Sequence, residues 1–149
     1  MRTEGAAAAA DFFAVHRWFL SAFEERGRVD TGYVAAPWFD MSRPQPVFLG
    51  SDPPMLMFDD VLPSTWQATN ASFVSAVGGA PWTTYAKVET ATATPGGQRL
   101  VISYPLRQCR ACGDLGYLRL QVDFDAAGNM VGRTFLAPAP GTATPAPSR

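Results

Sequence analysis

Cys109 and Cys112 are the only two cysteines in the chain, and their C-x-x-C spacing carries its most distinctive chemistry. Several uses compete. A thioredoxin-type site sets the first cysteine at a helix N-terminus after a strand, where the helix dipole lowers its pKa. Here Gly113-Asp114-Leu115-Gly116 leads into a strand pattern instead. A c-type haem site needs histidine directly after the second cysteine, and residue 113 is glycine. A structural zinc site needs four ligands, and no second cysteine pair exists, which leaves only a zinc shared across a homodimer. Two reduced thiols in a cytosolic protein are the plainest reading. The favoured reading is a local disulfide stapling the connection between two strands. Because its loop is so short, the staple contributes only about 2 kcal/mol. It points to an oxidising compartment such as a bacterial periplasm.

Other residues could bind or react. Arg107 and Arg110 flank the cysteines and can lower a thiol pKa, or serve as solvated charges at a sheet end. With Tyr117 they make the tip of this hairpin the first candidate surface for a ligand or partner. His16 is the only histidine. It falls on an apolar stripe, where a core histidine with one hydrogen bond is favoured over an acid/base or ligand group. A small enzyme using His16 with Asp59 or Asp60 is a third, weaker reading. Trp38 and Phe39 lie in a stretch rich in Pro, Gly and aromatics, and structured loops often bind. The competing reading is that they cap an open end of the core.

Several classes are disfavoured. No Walker loop, dinucleotide fingerprint or Ser/His/Asp order stands out, and Asp123 to Gly128 lacks the later ligands of an EF-hand. No cofactor and no metal are expected, and the expectation leans away from an enzyme. The net charge of -1 offers no electrostatic case for nucleic acid. No apolar run approaches the roughly 20 residues of a membrane helix. The start of the chain makes a poor signal peptide, since it carries Glu4 and Asp11 and lacks a leucine-rich centre. A periplasmic or secreted location, with the targeting segment absent from this chain, is expected from the cysteines; the alternative is cytoplasmic.

The elements that must position these residues follow from periodicity. Leu100, Ile102, Tyr104 and Leu106 alternate with polar or smaller residues, as do Leu118, Leu120, Val122 and Phe124. Period-2 alternation marks strands with one buried face. Asp125-Ala126-Ala127-Gly128 and Thr94-Pro95-Gly96-Gly97 are turn sequences. A four-strand antiparallel meander is expected, with strands near 83–92, 98–106, 117–124 and 131–136. Upstream, Phe12, Val15, His16, Phe19, Leu20 and Phe23 share one helical face, which predicts a helix from Asp11 to about Arg26, ended at Gly27. Residues 28–54 read as a long connection with one short strand at Val47–Leu49. Met55–Val61 reads as a strand. Ser64 and Gln67 form a capping box for a second helix that ends at Gly78-Gly79.

The expected fold class is α+β, with the N-terminal helix and the second helix on one face of a mainly antiparallel sheet. In element order alone this outline resembles PAS or Cache-like sensor domains and cystatin- or NTF2-like folds, and such an outline does not settle function. At 149 residues the chain is expected to form one domain over 11–137. A flexible segment, 1–10, precedes it, and a disordered Pro/Ala/Thr tail, 138–149, follows. The functional expectation is a non-enzymatic binding domain for a small molecule or a protein partner. The alternative is a thiol–disulfide redox protein in which Cys109 attacks and Cys112 resolves.

Overall fold

The computed structural model describes residues 10–11, 13–15, 17–35, 44–51, 54–78, 82–83, 86–109 and 111–142, with Trp82 and Thr83 described by backbone alone. They form two antiparallel sheets and a few short helices. The architecture is α+β in the broad sense and mostly strand. Strands β1 (Phe19–Glu24), β2 (Asp30–Ala35), β3 (Gln45–Leu49) and β4 (Met55–Met57) pair in chain order as the first sheet. Helices α1 (Phe58–Val61), α2 (Trp66–Thr69) and α3 (Ala71–Ala76) follow. The second sheet holds β5 (Trp82–Thr83), β6 (Lys87–Thr94), β7 (Gly97–Arg107), β8 (Gly116–Asp125) and β9 (Met130–Pro140). Both β5 and β6 pair with β7, on successive stretches of it, and β8 and β9 complete the meander. Among the described residues no helix is long and apolar enough to cross a membrane.

The meander has the alternation its residues imply. Leu100, Ile102 and Tyr104 pair with Val122, Leu120 and Leu118 in register, and all six are at most 1% exposed. Asp125 closes the β8–β9 turn by accepting hydrogen bonds from the Ala127 and Asn129 amides, at 2.8 and 2.9 Å. Gly128 supplies the positive φ, +96°, that this turn requires. Phe48 of β3 joins the layers, with its ring 4.4 Å from Phe58 and 5.1 Å from Phe124. Val61 and Val77 pack on the same inner face. The buried Gln98 ties β7 to the β1–β2 loop: its amide donates to the Arg26 and Val29 carbonyls and accepts from the Val29 amide.

Five expectations are corrected, the fifth at the C-terminal end. The helix from Asp11 to Arg26 is not formed: among the described residues the last helical one is 15, Arg17 takes a positive φ of 53°, and Phe19–Glu24 is β1. A register shift between Leu20 and Ala22 is the reason. The bulge turns Leu20 and Phe23 toward one face, where both pack against Val34, Val47 and Leu49. Three-residue spacing on one face imitates a helix when a bulge lies between. Val15 and Phe19, from the supposed stripe, are exposed. The connection at 28–54 contains two strands, β2 and β3, because Val34, Val47 and Leu49 build a second apolar cluster. Met55–Val61 is strand only to Met57 and then turns into α1. The second helix is broken at Asn70, whose side-chain amide donates to the Trp66 carbonyl, and Thr69 likewise bonds the Thr65 carbonyl. Both carbonyls also keep their backbone bonds, from the Thr69 and Asn70 amides at 3.0 and 3.1 Å, and such side-chain back-bonding bends helices. Thr65 rather than Ser64 is the N-cap, without a side-chain capping bond.

At the C-terminal end, β9 runs through Pro138-Ala139-Pro140, so these residues are strand rather than tail. Ala139 and Pro140 pair with Tyr117 and Gly116. Proline is tolerated there because β9 is an edge strand, where no outward ladder bond is needed.

Candidate functional site

The outer face of the meander carries the residues that alternate against the core. On β7 these are Arg99, Val101, Ser103, Pro105 and Arg107; on β8 they are Tyr117, Arg119, Gln121 and Asp123. Register sets Lys87 of β6 beside Ser103, and Ser103 beside Arg119. The β6–β7 ladder skips Glu89 at a shift between Val88 and Thr90. This bulge re-aims the Glu89 carboxylate, and Arg119 grips one oxygen of it from Nε at 2.8 Å and from Nη2 at 2.7 Å.

Between these side chains lies a hollow of about 320 Å³, lined by Lys87, Val88, Glu89, Ser103 and Tyr117. The Lys87 ammonium stands 5.7 Å from the centre of the Tyr117 ring, within cation–π range. Ser103 is only 1% exposed. It sits low because it is a small residue on a central strand among long neighbours. Its hydroxyl has no hydrogen-bond partner. Buried polar groups are nearly always paired, so an exception calls for a reason.

The cysteines sit at one end of this face. Cys109 and Cys112 are joined as a disulfide in the β7–β8 connection, with Cα atoms 5.1 Å apart. The Cys112 amide donates to the Cys109 carbonyl at 3.1 Å. The loop base is clamped twice: the Leu115 amide bonds the Leu106 carbonyl at 2.9 Å, and Arg107 Nε donates to Asp114 Oδ1 at 2.5 Å. Tyr117 donates its hydroxyl to the other Asp114 oxygen at 2.8 Å. Burial works against the Asp114 charge. The hydrogen bonds from Arg107 and Tyr117, then the charges of Arg107 and Lys87, outweigh it and hold the carboxyl below the usual aspartate range. The bond to Asp114, then burial, raises the Tyr117 phenol.

Two of the candidates read from sequence, Arg107 and Tyr117, are therefore brought together, and Asp114 is the residue that joins them. Arg110, His16, Trp38 and Phe39 lie outside the described residues. Asp59 and Asp60 stand in the first turn of α1. Although Asp59 is exposed overall, shielding of its carboxyl, then the Asp60 charge, raises it. Sequence reasoning missed Lys87, Glu89 and Asp114. Alternation alone sets Ser103, Tyr117 and Arg119 on the wet side of their strands. The β6 register and its bulge, which bring Lys87 and Glu89 to them, have no local signal. No family model matches this chain, and no curated protein or solved structure shows significant similarity to it.

Proposed function

We propose that this chain is a non-enzymatic small-ligand-binding domain that works outside the cytoplasm, with the hollow on the meander as its site. The observation that carries this reading is the buried, unpartnered Ser103 hydroxyl in the lining of a hollow. An unpaired buried hydroxyl costs free energy, and a polar ligand atom would recover it. The Cys109–Cys112 disulfide acts as a staple that holds the Asp114–Tyr117 end of the site, and it suits an oxidising compartment. A screen of small polar fragments against the ¹⁵N-labelled protein tests the reading. Shifts should map to Lys87, Ser103 and Tyr117; fragments that map only elsewhere would remove the hollow as the site.

A second reading rests on the exposure of Cys109: a thiol–disulfide redox protein. Under it, a Cys112→Ser variant traps mixed disulfides with partner proteins through Cys109. Under the first reading that variant only loses stability.

A further inference from the structure

We infer that the hollow takes a small carboxylate, with Lys87 and Ser103 as joint donors to the anion; this rests on the ligand-binding reading above. The charges on the outer face are mostly spent on one another. Arg99 holds Asp123 at 2.7 Å, Arg107 holds Asp114, and Arg119 holds Glu89. Among the described residues no carboxylate lies within ion-pair distance of Lys87. Its ammonium stands over the Tyr117 ring and its charge also acts on Asp114, whose two oxygens are already held by Arg107 and Tyr117, so its donors face solvent and stay open to a ligand.

Lys87 and Ser103 are direct register partners on adjacent strands. Directly opposed residues have Cβ atoms about 4.5–5.5 Å apart, so the ammonium and the hydroxyl can converge on one small group. Both can donate, and an acceptor-only oxyanion is the group that uses both. A cationic ligand would meet Lys87 unshielded, and Glu89 is no counterweight because Arg119 already occupies one of its oxygens. A neutral amide offers one acceptor oxygen and no charge. The Tyr117 ring supplies the apolar part of the lining, which suits a compact apolar stem on the carboxylate. The volume of about 320 Å³ falls at the small end of the ligand pockets in proteins, about 300–1,000 Å³.

The test uses the full oxidised chain and three probes of one shape: benzoate, benzamide and benzylammonium. Each is titrated while the backbone amides of Lys87, Ser103 and Tyr117 are followed by ¹H–¹⁵N correlation spectra. Benzoate is expected to produce saturable shifts at those three residues and to bind at least ten times more tightly than benzamide. Lys87→Met keeps the stem at an exposed position and should abolish that preference. Ser103→Ala should weaken benzoate several-fold. If benzamide or benzylammonium binds the same residues as tightly as benzoate, the anion assignment fails while the binding site stands. If none of the probes perturbs the hollow in a saturable way, the hollow is not a ligand site and both readings fail.

Discussion

Replacing Ser103 with alanine removes a single oxygen from the lining of the hollow, and the structure predicts that the protein becomes more stable. An unpaired buried hydroxyl costs about 1–3 kcal/mol, and Ser103 Oγ is such a group. Two smaller effects oppose the gain. Alanine is a poorer strand former, on a scale that spans about 1 kcal/mol. The oxygen also gives up a few dispersion contacts of about 0.1–0.2 kcal/mol each. The net expectation is a stabilisation of about 1 kcal/mol. For a chain of 149 residues that corresponds to a rise in Tm of about 3–4 °C. Urea unfolding followed by circular dichroism measures it, and the slope m should stay constant, so that a higher midpoint reports stability alone. A destabilisation of about 0.5 kcal/mol or more would show that the hydroxyl is well satisfied in the folded protein. The case for a ligand site at Ser103 would then be lost.

Three further outcomes follow from the same geometry. The Asp114 carboxyl is held below its ordinary value, near 3.9, so the stability it contributes is complete above that pH and is lost as pH falls through the lower folded value. Asp114→Asn should cost about 1 kcal/mol at pH 7, and the gap to the wild type should close below about pH 4 in an acid series of urea melts. Reduction of Cys109–Cys112, or the double change to serine, should cost about 2 kcal/mol; a reduction potential below about -300 mV in a glutathione series would mark a structural staple, and one near -200 mV a redox site. Tyr104 donates its buried hydroxyl to the Phe58 carbonyl at 2.8 Å, so Tyr104→Phe should lose about 1 kcal/mol, read as a lower urea midpoint; no change would mean that the carbonyl finds another donor.

The two halves of the chain differ in how plainly their residues speak. The meander is legible because each strand is long, one face is apolar, and its turns carry Asp, Pro and Gly where their geometry needs them. The N-terminal half gives a false helical signal. Leu20 and Phe23 keep an i, i+3 spacing that a bulged strand reproduces, and single-sequence periodicity does not distinguish the two. Residues 30–35 read as loop because Gly32 and Thr31 dilute the alternation, yet β2 is the partner that β1 and β3 both require. The capping signature at Ser64 places the helix start within one residue, at Thr65, but does not show the break at Asn70, whose side chain bonds back to the Trp66 carbonyl.

The sequence by itself determined the strands β7 and β8, the polar side on which Ser103, Tyr117 and Arg119 lie, and the cysteine pair in the turn between them. These follow from local rules, because alternation and turn chemistry act over a few residues. Only the tertiary structure decided that Lys87 lies beside Ser103, that the β6 bulge hands Glu89 to Arg119, and that Asp114 links Arg107 to Tyr117. Those pairings depend on strand register and on where a bulge falls, which are settled by how two apolar faces pack together rather than by any short stretch of chain.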